Sequence, residues 1–271
     1  MSLVCACVIL AASPAGAEMV CPVSARPQPM PELAAARKAL SERRQVSILA
    51  IGSSSTAGVG ASSQGSFPTQ LAKRLSQALG PQAVKVQNAG VSGERGPATL
   101  KRLETFLTQP QKPDLVIWQV GTNDYVFGGR ADRLSDIVMA GLKAADAAHV
   151  PVILINQQYY PLILNVPRYE TFVAVVNSAA QVQGVSLLPR YSMMKTWSQH
   201  DPTGFRQLLS WDRFHMNDAG YACLAQLLSI TILEALQADG AAGKPEKRTG
   251  SSSATGGEAP AASLPSSHGL Y

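Results

Sequence analysis

Ser53, Ser54 and Ser55 stand together where an apolar run, Val46 to Gly52, comes to an end. A serine hydroxyl is a weak nucleophile and attacks only with a base in hydrogen-bond reach. Imidazole suits that task near neutral pH. Late in the chain, "SWDRFHMNDAGY" (210–221) supplies His215, with Asp212 three residues before it. A single turn would bring that carboxylate to the ring, fixing its tautomer and stabilising the imidazolium. Acyl transfer also needs donors for a tetrahedral oxyanion, and removing one typically costs about a hundred- to a thousand-fold in rate. The amide of Gly93, in "NAGVSGERG" (88–96), and the side chain of Asn123, in "GTNDY" (121–125), are donors of that kind.

Each of these pieces also has a plainer reading. Alone, the serine run is a helix cap or a flexible loop. "GSSSTAGVG" lacks the lysine of a phosphate-cradling loop. Asp124 reads as a capping or solvated carboxylate, and Trp118, inside an apolar run, as core. Among the four histidines, His268 lies near the end of the chain and His149 precedes a strand, away from the serines. His200 has Asp201 beside it, but adjacent residues do not readily face one another, so His215 with Asp212 is the better pair. Gln157 and Tyr159, in "NQQYYPL", are candidates for lining a cleft.

These residues matter only if folding brings them together. Runs at 46–52, 84–90, 114–121, 151–157 and 184–189 are short, apolar and rich in aliphatic residues, which predicts strands. Helical periodicity marks 67–79, 96–108, 131–148 and 167–182, with an earlier helix at 32–44. A final helix, 217–237, follows a long irregular segment. Strand alternating with helix predicts a three-layer α/β/α sandwich around a five-stranded parallel sheet buried on both faces. In such sheets ligands bind outside the carboxyl ends of the strands. The turns after the first three strands are the ones that carry the serines, Gly93 and Asn123.

The four pieces, in order, resemble the blocks of the SGNH or GDSL hydrolases: "GSSSTAG", "NAGVSG", "GTND" and "DRFHMNDAGY". The resemblance covers roughly residues 46 to 237. It implies a flavodoxin-like fold, with Ser54 as nucleophile, Asp212 and His215 as its partners, and the Ser54 amide, Gly93 and Asn123 as oxyanion donors. Ser53 stands where the family's first block usually has Asp. That Asp is not the acid of the triad, and Ser53, being short, can bond nearby backbone in its place.

The chain has 271 residues, 46% hydrophobic and 15% charged, enough apolar material for one sizeable core. Residues 1–17 read as a secretory leader, with a short apolar run and Ala15-Gly16-Ala17 as cleavage pattern, although no Lys or Arg precedes the run. An extended segment and helix (18–45), a hydrolase domain (46–238) and a disordered low-complexity tail (239–271) follow. Removing the leader leaves Cys21 and Cys223, as one disulfide or as two isolated thiols. A net charge of +5 without aromatics among the basic runs argues against nucleic acid. No stable membrane anchor, metal or cofactor is expected. The expectation is an exported serine esterase acting on acyl esters, with O-acetylated polysaccharide favoured. No large apolar run marks a lid for lipid interfaces. An O-acetyltransferase using the same triad, or a non-catalytic glycan-binding module, are the alternatives.

Overall fold

The computed structural model of the chain describes residues 21, 33–42 and 44–237. The expected leader, most of the segment before Leu33 and the tail lie outside the described residues. Five strands form one parallel sheet: β1 (Val46–Gly52), β2 (Val84–Gly90), β3 (Leu115–Gln119), β4 (Val152–Ile155) and β5 (Ser186–Leu188). Their spatial order is β2-β1-β3-β4-β5. The chain therefore leaves β1 to one side and returns to continue on the other. Loops at that reversal bracket a crevice at the carboxyl edge.

Alternation along β1 explains why its apolar run is continuous. Ile48 and Ala50 join one core and Leu49 and Ile51 the other, so both faces are dry. The first core is closed by α1 (Ala34–Ser41), α3 (Phe67–Leu79) and α10 (Asp218–Gln237), through Ala36, Leu71, Leu75, Leu224 and Leu228. The second is closed by α4 (Gly96–Leu107), α6 (Ala131–Ala147) and α7 (Val166–Gln183), through Leu103, Val138 and Phe172. Trp118 is wholly buried there. Gly141 of α6 makes room for it, since a Cβ at Gly141 would meet the indole ring at 2.4 Å. Short helices α2 (Ser54–Ala57) and α5 (Thr122–Val126) follow β1 and β3 directly.

Two expectations need correction. Strand β2 is not buried on both faces: it is the sheet edge, and Lys85 and Gln87 along it are not buried. The segment between β5 and α10 is not irregular throughout, because α8 (Arg190–His200) and α9 (Pro202–Gln207) occupy it. Met193, Met194, Trp197 and Phe205 of these helices pack into the first core. The Asp201 side chain caps α9 by accepting from the Gly204 amide at 2.8 Å. Of the two states left open for the cysteines, the disulfide is found: Cys21 is bonded to Cys223 of α10, with Cα atoms 5.3 Å apart.

Candidate active site

Ser53 precedes α2 without a capping bond from its side chain, and Ser54 is the first helical residue, only 9% exposed. The one-turn helix ends at Gly58, whose φ of 97° lies in the left-handed region. Gly90 at the end of β2 is needed for the close fit, since a Cβ there would stand 2.1 Å from the Ala57 amide. On Ser54 converges the late loop: His215 Nε2 is 2.8 Å from Ser54 Oγ. On the other side of the ring, His215 Nδ1 is 2.5 Å from Asp212 Oδ2.

The turn that pairs Asp212 with His215 is not helical. Asp212 Oδ1 accepts from the amides of Phe214 and His215, both at 2.9 Å, and Arg213 between them takes a left-handed φ of 54°. One carboxylate thus folds the loop and orients the ring. Burial works against its charge, but bonds from the His215 ring and from the two amides outweigh that. The carboxyl sits below its ordinary value.

The remaining expected residues stand on the segments that directly follow β1, β2 and β3. The Ser54 amide is at the first turn of α2, where helix geometry leaves N–H groups without intrahelical acceptors. Gly93 follows β2 in a turn closed by the Glu94 amide on the Val91 carbonyl at 3.2 Å. Its φ of 79° is what a type II turn requires at its third residue. Asn123, in α5, donates through Nδ2 to the Glu94 carbonyl at 2.9 Å, which ties the β2 loop to the β3 loop. A second N–H remains on the same nitrogen. Asp124 faces away from this chemistry. Its two oxygens accept from the Gly96 amide at 3.0 and 3.1 Å, capping α4, and burial raises its carboxyl against that bond.

His200 stands at the exposed end of α8 with Nδ1 3.0 Å from the Thr196 carbonyl, and Asp201 is the α9 cap. Gln157 and Tyr159 are engaged elsewhere than at Ser54 and His215. Gln157 donates to the Phe172 carbonyl at 3.0 Å, and the Tyr159 ring packs between Tyr191 and Phe205. The glutamine that matters lies between them. Gln158 Oε1 accepts from Ser55 Oγ at 2.7 Å, and its Nε2 donates to the Phe214 carbonyl at 2.8 Å. It joins the serine turn to the histidine loop. Gln119 at the end of β3 accepts from both the amide and the hydroxyl of Ser53 at 3.2 Å. The bond expected from Ser53 to backbone is thus made to a side chain instead. A further brace is Arg102, paired with the largely buried Glu94 at 2.5 Å and donating to the Ala89 carbonyl at 2.8 Å. Beneath the turn, wholly buried Arg190 finds no hydrogen-bond acceptor among the described residues, and burial pushes its guanidinium below the ordinary value.

A five-stranded parallel α/β sandwich with serine, glycine, asparagine and histidine gathered at its carboxyl edge is the plan of the SGNH ester hydrolases. The chain belongs to the non-GDSL lipase-like family of that class, whose profile matches residues 20–238. Esterase TesA of Pseudomonas aeruginosa is 29% identical to it over 143 residues, 52% of this chain and 69% of that protein. A solved structure of TesA has a TM-score of 0.59 at 25% identity, covering 70% of this chain and 99% of that one. The structure of AlinE4, an SGNH-hydrolase family esterase, has a TM-score of 0.53 at 26% identity, covering 72% and 98%.

Proposed function

We propose that the enzyme hydrolyses acyl esters through an acyl-Ser54 intermediate. The observation that carries this is the unbroken row from Ser54 Oγ through His215 to Asp212, at 2.8 and 2.5 Å. His215 takes the hydroxyl proton as Ser54 Oγ bonds the ester carbon, and Asp212 stabilises the imidazolium. The Ser54 and Gly93 amides and the Asn123 side chain receive the charge on the carbonyl oxygen. The imidazolium then protonates the departing alcohol. In the second half, His215 activates a water that releases the acid from Ser54.

Export is part of the proposal. The Cys21–Cys223 disulfide supports an oxidising compartment, as does the short apolar run before Ala15-Gly16-Ala17. Two ester classes have support. The net charge of +5 favours an O-acetylated polysaccharide. Apolar side chains exposed at the carboxyl edge, Trp211 and Phe127 among them, favour a lipid-borne ester, and this support is the more local.

The test is active-site labelling. A fluorophosphonate probe is expected to modify the peptide bearing Ser54, with labelling lost in Ser54→Ala and in His215→Ala. Modification of Ser53 or Ser55, or none while the protein remains folded, would overturn the assignment.

A further inference from the structure

Large apolar side chains exposed to solvent are concentrated at one end of this molecule. Among the described residues, all of them except Val182 and Ile230 stand on segments at the carboxyl edge of the sheet. Trp211 is 92% exposed and Leu164 99%, with Leu162 and Phe127 more than half exposed. A scattered exposed leucine needs no account, but a gathering on one edge does.

Hydrogen bonds and ring contacts join the segments that carry them. The Tyr125 hydroxyl meets the backbone of Asn165 at 3.3 Å, and Arg168 donates to the Gly129 carbonyl at 2.8 Å. These bonds bring Phe127 beside the loop of Leu162 and Leu164. That loop reaches the histidine loop through Tyr160, whose ring meets Phe214 at 4.7 Å, and Phe214 meets His215 at the same distance. Trp211 begins the turn that holds this histidine. The apolar residues therefore form a broken collar around Ser54 and His215.

The charges at this edge are of both signs, but those exposed and without an ion-pair partner are mostly arginines. Arg133 and Arg213 are exposed there without an acidic partner among the described residues, the exposed Arg95 acts on the buried Asp124 only through space, and Arg130 is paired with Asp132. The acids at this edge are otherwise engaged: Asp212 with His215, Asp124 with Gly96, Glu94 with Arg102 and Asp218 with Ser62. Indole, leucine and arginine side by side match a surface that is apolar within and anionic at its face. A second copy of the chain would set these arginines against one another. A glycan gives the leucines nothing to bury against.

We infer that the carboxyl edge docks on the surface of an anionic phospholipid bilayer, with Trp211, Leu162 and Leu164 entering the headgroup region. Ser54 then faces acyl esters held in that surface. The docking takes its purpose from Ser54 as nucleophile, but its physical basis does not depend on it.

Ser54→Ala protein, full chain, is therefore the material for the test. It is expected to sediment with vesicles of phosphatidylcholine mixed with phosphatidylglycerol, far less with phosphatidylcholine alone, and to be released by high salt. Tryptophan emission should shift to the blue on binding, and Trp211→Phe should remove the shift. The double variant Leu162→Ser, Leu164→Ser should bind roughly tenfold more weakly or worse. Its melting curve shows that it is folded. Equal binding by a folded double variant overturns the inference. So does dimerisation, or retention on O-acetylated polysaccharide, without vesicle binding. A failure of Ser54 labelling with vesicle binding intact would sink the nucleophile assignment and leave the docking standing.

Discussion

Asp212 carries two burdens that can be separated by one substitution. Its Oδ1 holds the loop through two amides, and its Oδ2 faces the imidazole. Asparagine keeps a carbonyl oxygen for the amides but carries no charge to stabilise an imidazolium. Asp212→Asn should therefore lower kcat for p-nitrophenyl acetate by roughly 10³- to 10⁴-fold while the melting temperature moves little. A loss of only a few-fold would mean that Asp212 is a loop brace alone. The sign of the pH dependence follows from its lowered folded value. The carboxylate's contribution to stability is in place above the unfolded value of about 3.9 and is lost as pH falls through the folded one. Melting curves of Asp212→Asn and the parent should thus converge in acid below that range and differ, if at all, above it.

Between elements, the alignment of the serine turn with the histidine loop rests on Gln158. The residue touches no substrate, so it is a positioning residue. Gln158→Leu leaves the buried Ser55 hydroxyl and the Phe214 carbonyl without this partner, at about 1–3 kcal/mol. It should lower kcat more than it changes KM. Gln157→Leu removes a bond to the Phe172 carbonyl and none to the serine turn or the histidine loop, and should cost stability without a matching loss of kcat. Equal effects on kcat from the two would refute the positioning role. The neighbours also mark where sequence reading stops. The strand at 46–52 was legible to the residue because a nearly continuous aliphatic run ending in glycine leaves little choice, and the one at 84–90 because Val84 and Val86 alternate with polar residues before a closing glycine. The segments bearing the polar blocks were legible because each directly follows such a run or precedes the last helix. Which of two adjacent glutamines turns toward Ser55 was not, since the chain after β4 is neither helix nor strand and has no period to read. Gln119 was hidden for a related reason: its partner, Ser53, lies on another loop. The apolar collar was invisible as a run because its members are far apart in sequence and meet only at the sheet edge.

At the scale of the whole molecule, one covalent link closes nearly the entire described chain. Cys21 and Cys223 are 202 residues apart in sequence, and Cys223 lies in the first core, on the helix that also anchors the loop beyond Ser54. That helix, α10, is long and apolar enough to cross a membrane, yet Tyr221, Leu224, Leu228 and Ile232 along it are buried in the protein. Its first turn reaches the active edge: Asp218 accepts from Ser62, and the Tyr221 hydroxyl donates to the Val59 carbonyl at 2.9 Å. A cross-link of this span restricts the unfolded chain far more than the folded one, a stabilisation of about 2–4 kcal/mol. Reduction, or Cys21→Ser with Cys223→Ala, should therefore lower the melting temperature by roughly 5–15 °C. Activity well below the transition should persist, because His215 is held by its own turn and by Gln158 rather than by the cysteines. Activity that vanishes on reduction while the protein is still folded would show instead that the bond sets the position of α10, and through Tyr221 and Val59 the approach to Ser54.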